Sequence, residues 1–251
     1  MSITSTHNEK LKEIRKLRMR RRARERAGRF VAEGEDLLAA ADGAGWRPTD
    51  RFCAAGSGLA GVEVDDKLLA SASGLGSSTR TLAVYRERWA DQPAAPLCVY
   101  LHGVHDPGNV GAILRSAEAF GASCVALGPG SADPFSPKAV RASMGAIFSV
   151  PVAKVVEVAD LPGTKIALVP GAGAPLAELW RITSGGRRSG AKVRSETEAT
   201  LLIGSERDGL PKAIEAQADC VAQIPIRTES LNAAMAATVA LYEVTRMAPA
   251  S

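Results

Sequence analysis

Long hydrophobic runs are what this chain most conspicuously lacks. None of its apolar stretches approaches the roughly 18 residues that a membrane-spanning helix requires, so no membrane is expected among its partners. The first residues are polar and basic with no apolar segment behind them, which is not the pattern of a secretory signal. Cysteine is scarce too. Cys53, Cys98, Cys124 and Cys220 stand far apart, without the paired spacing of a zinc site or a redox motif, and read as small buried apolar residues in a reducing compartment. His102 and His105 have no partner at a metal-ligand spacing, so core or loop roles are expected of them and no metal is expected. These absences point to the cytoplasm. The remainder is ordinary for a globular protein of one or two domains, with 46% hydrophobic and 23% charged residues among 251.

The net charge is only +4, but it is unevenly spread. Between Lys10 and Arg29, eleven of twenty residues are Lys or Arg, against two Glu. RNA or DNA phosphates are the commonest partner for such a density of cations. A solvated helix face or a disordered arm is the plainer alternative. An organelle transit peptide is a third, weakened by Glu9, Glu13 and Glu25.

Residues 8–27 favour helix, and "RFVAEGEDLLAAA" reads as a short strand running into a helix. "DDKLLASAS" suggests another helix and "RTLAVY" another strand, so residues 1–86 form a small α/β unit carrying the basic run. "RERWADQPAAP" lacks periodicity and has two prolines, which places a linker at 87–96. In 97–251 the apolar runs "LCVYLHGV", "SCVALG", "IFSVPVAKV", "KIALVP", "TLLIG" and "CVAQIPI" are separated mostly by helix-compatible segments. Strands that alternate with helices and are apolar almost throughout indicate a parallel sheet covered on both faces. The basic stretch at 181–199 reads as an exposed loop.

Three segments carry candidate chemistry. In "HDPGNVGAILRSAEAFGA", Pro107 and Gly108 end a strand spanning 97–104, and Asn109 suits a helix N-cap. Val110, Ile113, Leu114 and Ala117 form one helical face, and Gly121 suits its end. Arg115 then points away from that face, available to a phosphate, a substrate or a partner subunit. In "LLIGSERDGLP", an apolar strand meets Gly204 and a polar turn with Glu206, at the strand end where open parallel sheets bind ligands. In "IPIRTESLNAAMAATVALYE", Ser230 is a natural N-cap and Asn232 sits in the first turn of a long helix. Each segment alone is equally well explained as plain structure. "GSGLAG" at 56–61 formally matches a dinucleotide fingerprint, but "VEVDD" follows it rather than an amphipathic helix, so it is read as a turn.

Together and in this order, these segments resemble the motifs of the SpoU (TrmH-like) family of RNA ribose 2′-O-methyltransferases, in the SPOUT superfamily. "DPGNVGAILRSAEAFGA", "PKAVRASMGA", "GSERDGLP" and "SLNAAMAATVALYE" fall where that family has its signatures, over most of residues 97–247. The first 85 residues resemble the family's accessory RNA-binding domain, through "RFVAEGEDLLAAA". The resemblance implies an α/β SPOUT fold with a trefoil knot, a homodimer, and S-adenosylmethionine bent into a pocket of knotted loops. Carried over by motif, Asn109, Arg115, Glu206, Ser230 and Asn232 are the catalytic candidates. Gly204, Ile224 and Leu231 would contact the cofactor, with Val169, Pro170 and Gly171 of the "VPGAGA" turn nearby. The implied substrate is RNA, ribosomal rather than transfer RNA, because such an N-terminal domain suits structured rRNA. A tRNA methyltransferase, or a non-catalytic RNA-binding protein of the same fold, is the alternative. The loop from Ile224 to Ser230 is shorter than the family's and lacks its glycine, and the basic 181–199 stretch is longer.

A 2′-hydroxyl is a poor nucleophile, so such a site must stabilise its loss of a proton while aligning it with a methyl donor. Arg115 is a poor base, since a guanidinium pKa lies above about 12. Its expected part is to hold a neighbouring phosphate and stabilise the developing alkoxide. Asn109, Ser230 and Asn232 would orient the ribose and the loop, and Glu206 would anchor Arg115 or the substrate.

Overall fold

The computed structural model describes residues 2–74, 79–184 and 198–246, with backbone alone at 181–184. The first elements are α1 (Glu9–Met19), α2 (Arg21–Ala27), β1 (Arg29–Glu33), α3 (Glu35–Gly43), β2 (Asp50–Ala54), β3 (Val62–Val64), α4 (Asp66–Ala72) and β4 (Thr81–Arg86). Then come β5 (Leu97–Leu101), α5 (Pro107–Ala119), β6 (Cys124–Leu127), α6 (Pro137–Ala142), β7 (Val152–Lys154), β8 (Thr164–Leu168) and β9 (Ala174–Pro175). The last are α7 (Leu176–Ser184), β10 (Ala199–Ile203), α8 (Lys212–Glu215), β11 (Cys220–Gln223) and α9 (Ala233–Arg246).

The chain divides into two compact units, one of Met1–Arg88 with Asp133–Ser149, the other of Trp89–Ala132 with Val150–Ser251. In the first, a four-stranded sheet runs in the order β1-β4-β2-β3. Leu11, Ile14 and Leu17, three residues apart on α1, are buried against Val31, Phe52, Leu69 and Leu82. The expected single helix over 8–27 is broken at Arg20, whose extended backbone (φ −128°, ψ 114°) ends α1 and starts α2. That break lets the apolar side of α1 stay buried while α2 takes its own direction. The glycines of "GSGLAG" turn the chain between β2 and β3. At Gly61 (φ +135°) an added Cβ would come within 2.9 Å of the Arg51 carbonyl oxygen, so this glycine serves packing.

Residues 133–149 supply part of the same core. Phe135 and Phe148 join Phe30, Trp46 and Tyr85 in one aromatic cluster, and the Trp46 indole donates to the Phe148 carbonyl at 2.8 Å. Arg24, almost fully buried, pairs with Asp133 at 2.7 Å and donates to the Leu17 carbonyl at 2.6 Å. Removing one partner of a buried pair leaves the other charged and desolvated, so Arg24→Gln is expected to cost about 3 kcal/mol of stability. Urea unfolding would read this as a lower midpoint. A midpoint equal to that of the parent chain would show that Asp133 needs no guanidinium.

The second unit holds an all-parallel sheet of seven strands, ordered β7-β6-β5-β10-β8-β11-β9. Every residue of β5, β6 and β10 is buried, as expected for a sheet covered on both faces. The expected strand "IFSVPVAKV" is instead a 3₁₀ turn at Ala146–Phe148 followed by the short β7. Pro151, which has no N–H to donate, stands between them, and the pairing of this edge strand with β6 starts at Val152. The first strand also stops at Leu101, short of residue 104. α5 and α9 pack side by side, with Ser116 and Thr238 hydroxyls 2.6 Å apart. Of the basic segment expected as a loop at 181–199, residues 181–184 instead end α7 and Ala199 begins β10, and the stretch between lies largely outside the described residues.

Candidate active site

Two helix starts differ from expectation, and both differences build the site. The N-cap of α5 is Asp106, whose carboxylate accepts from the Gly108 and Asn109 backbone N–H groups at 2.5 and 3.3 Å. Pro107 fits the first helical position because it has no N–H to lose there. Asn109, expected as the cap, is thereby released, and its side chain turns elsewhere. Likewise α9 is capped by Asn232 rather than Ser230. The Asn232 Oδ1 accepts from Ala234 N at 2.9 Å and Met235 N at 3.4 Å. Ser230 stays in the preceding loop, where its carbonyl accepts from the Thr228 hydroxyl at 3.4 Å.

The two side-chain amides meet. Asn109 Nδ2 donates to Glu206 Oε1, and Asn232 Nδ2 donates to Asn109 Oδ1 at 3.1 Å. Residues 97 and 123 positions apart along the chain thus form one hydrogen-bonded row, Glu206–Asn109–Asn232, joining all three sequence segments. Glu206 was expected to anchor Arg115 or substrate; its observed partner is Asn109. Arg115 is exposed on α5 and makes no ion pair among the described residues.

A cavity of about 560 Å³ opens next to Glu206. It lies where β8 and β10 end, between the 168–170 turn, the 203–212 turn and the loop leading into α9. Of the residues expected at a cofactor, Gly204, Val169, Pro170 and Leu231 line it. Ile224 lines an adjoining pocket of about 60 Å³ with Ile226 and the shared Leu231. Gly171 lines neither. Ser230 and Glu206 also face the cavity, whereas Asn109, Asn232 and Arg115 are not part of its wall.

Gly204 has a steric reason to be glycine. An added Cβ would lie 2.1 Å from the Gly209 carbonyl carbon and 2.3 Å from its oxygen. The turn is closed by Ser205 and Gly209, each N–H donating to the other's carbonyl at 3.1 Å. Glu229 and Glu215 on the cavity wall were not singled out from sequence. Glu215 is paired with Lys212 at 2.8 Å, an i,i+3 signal that was legible. Nothing in the local pattern marked Glu229.

His102, half-buried beside Tyr100, has its pKa lowered by desolvation, and its Nδ1 lies 3.1 Å from the tyrosine hydroxyl. This is the core-edge role expected of it. Cys98 and Cys124 sit opposite each other on β5 and β6 as free buried thiols.

An open parallel sheet with a polar row and a cavity at the carboxyl ends of its strands defines an α/β protein with a ligand site in the usual place for such sheets. Comparison with known proteins gives the family. Residues 96–242 match the SpoU rRNA Methylase family, and residues 8–84 match an MRM3-like substrate binding domain. The chain belongs to the SpoU rRNA methylase family. It is 38% identical over 56% of its length to the 23S rRNA (uridine(2479)-2′-O)-methyltransferase of Streptomyces viridochromogenes, covering 49% of that protein. An uncharacterized tRNA/rRNA methyltransferase of Synechocystis is 31% identical over 98% of this chain and 93% of its own. The chain spans about half the length of the first curated relatives it matches. Among solved structures, the AdoMet-bound rRNA methyltransferase of Sinorhizobium meliloti has a TM-score of 0.82 at 27% identity, covering 100% of this chain and 99% of that one.

Proposed function

We propose that the protein is an S-adenosylmethionine-dependent methyltransferase acting on a ribose 2′-hydroxyl of ribosomal RNA, in the cytoplasm and as a homodimer. The observation that carries this reading is the row Glu206–Asn109–Asn232 beside the cavity, which unites three distant motifs at the strand ends. Relatives named as 23S rRNA 2′-O-methyltransferases support it, as does the AdoMet-bound structure of similar fold. No described helix is long and apolar enough to cross a membrane.

The cavity fits the cofactor in size and chemistry. Its volume of about 560 Å³ lies within the range of small-molecule sites. Leu168, Val169, Leu231 and Ala236 offer an apolar wall for an adenine, while Glu229 offers a carboxylate to a cationic group. When bound, the cofactor supplies a methyl group activated by its sulfonium. Gly204, Val169, Pro170 and Leu231 would hold it, with Ile224 from the adjoining pocket, while Gly171, which lines neither, is not needed for contact. Asn109 and Asn232 lock the two helix starts together. Glu206 gives one oxygen to Asn109 and keeps the other for a substrate hydroxyl, and Ser230 faces the same space.

Arg115 lies outside its own chain's cavity, so its part is played toward RNA phosphate and the alkoxide that develops at the ribose. The homodimer accounts for its position. Nearby, α9 exposes Met235 and Tyr242 two turns apart on one face, an apolar surface for a second copy. Arg115→Lys keeps the charge but loses the planar fork, and removal of one such donor typically costs about 100-fold in turnover. The expected result is that loss in methyl transfer to rRNA, with S-adenosylmethionine affinity by calorimetry unchanged. Parental turnover in the variant would exclude a role for the fork. Absence of calorimetric binding by the parent chain would overturn the whole reading.

A further inference from the structure

Eleven cations crowd residues 10–29, yet the fold has already used most of them. Lys10 pairs with Asp50, Lys12 with Glu9 at 2.7 Å, Arg18 with Glu33 at 2.7 Å, and Arg21 with Glu25 at 2.8 Å. Arg24 is committed to Asp133, Arg29 to Glu13 at 2.5 Å, and Arg15 donates to the Ser71 hydroxyl at 2.8 Å. Four remain. Lys16, Arg20, Arg22 and Arg26 are exposed and make no ion pair or side-chain hydrogen bond among the described residues. All four line one cleft of about 1050 Å³ at the break between α1 and α2.

The acidic residues of that cleft, Glu9 and Glu13, are both neutralised by the pairs above. Lys12 beside Glu9 also lowers the pKa of that carboxyl, which therefore stays charged and paired at neutral pH. The uncompensated charge of the cleft is therefore carried by Lys16, Arg20, Arg22 and Arg26. Arg22 and Arg26 are four apart on α2, so their Cβ atoms sit about 6 Å apart across one helical turn, while Lys16 lies in the last turn of α1 and Arg20 stands at the break. A membrane surface would want an outward apolar face, but Leu11, Ile14 and Leu17 of α1 are buried inside the unit. The exposed apolar residue beside the patch is Met19, 81% accessible, too little for a protein interface.

We infer that this cleft is an RNA-backbone site in which Lys16, Arg20, Arg22 and Arg26 contact phosphates, while the other seven cations of the run serve folding. The inference rests on the rRNA reading above, and names where that RNA is gripped. Each phosphate neutralised contributes about 0.7 to 0.9 to the slope of log affinity against log salt. Four contacts therefore predict a slope shallower by about 3 in a variant with all four changed to Gln.

The test uses the full chain and unmodified, in vitro transcribed 23S rRNA, with affinity measured by filter binding across a KCl titration. Two controls accompany the quadruple variant. Glu9→Gln with Lys12→Gln and Arg21→Gln with Glu25→Gln remove two ion pairs without changing net charge. Arg47→Gln, Lys67→Gln and Arg86→Gln remove three exposed cations elsewhere in the same unit. The expected result is a slope reduced by about 3 in the quadruple variant, with its melting temperature unchanged, and near-parental slopes in both controls. A parental slope in the quadruple variant overturns the inference and leaves the rRNA reading intact. Per-charge losses in the Arg47, Lys67 and Arg86 control equal to those in the quadruple variant overturn it too, since total charge would then explain everything. Failure of the parent chain to bind rRNA at all overturns both.

Discussion

Asn109→Ala is expected to lower methyl transfer about 100-fold, the usual loss when one preorganised polar contact of an active site is removed. Asn109 gives its N–H to Glu206 and its oxygen to Asn232, so truncation frees both neighbours at once. Stability should change little, because α5 keeps its cap at Asp106 and its buried face of Val110, Ile113 and Leu114. Asn109→Asp sharpens the test. A carboxylate at 109 would face Glu206, and two such groups cannot both stay ionised cheaply, so the pKa of the pair rises. Above that pKa the two repel and activity stays low. As pH falls through it, one shared proton restores a donor between them. The Asp variant should therefore regain activity relative to the parent as pH is lowered, whereas the Ala variant should not. Tritium transfer to rRNA at two pH values decides the matter. Ala and Asp variants that both match the parent would reduce the row to a surface decoration.

Gly204→Ala should have the second large effect. Its Cβ would collide with the backbone of Gly209 and Leu210, at 2.1 to 2.3 Å, and backbone cannot swing aside as a side chain could. The turn must open, with loss of both Ser205–Gly209 hydrogen bonds and a shift of the cavity wall that carries Glu206. Overpacking of this kind costs up to about 3 kcal/mol. S-adenosylmethionine affinity should fall more than 100-fold by calorimetry, an effect of about 2.7 kcal/mol at roughly 1.4 per factor of ten. Gly171→Ala is the matched control. Gly171 has a left-handed backbone (φ +67°) but open space around a Cβ, so the expected cost is about 1 kcal/mol with cofactor affinity retained. If the two variants bind cofactor equally well, the cavity beside Gly204 is not the cofactor site.

Much of this was determined by the sequence itself. Runs such as "LCVYL" and "TLLIG" read as strands buried on both faces, because they are short, alternate with helix-compatible segments and leave no side for solvent. The order of three motifs was enough to give the family. What the tertiary structure decided was pairing. Asp106 and Asn109 are both good caps by type, as are Ser230 and Asn232, and local preference differs too little between them to choose. Long-range bonds from Asn109 to Glu206 and Asn232 settle the choice. Similarly, Phe135, Ile147 and Phe148 announce burial but not in which core, since the hydrophobic effect has no direction. The cations of 10–29 show the same limit most plainly. Charge is written in the sequence, but whether a charge is spent on a carboxylate or left for RNA depends on distances between residues as far apart as Arg24 and Asp133.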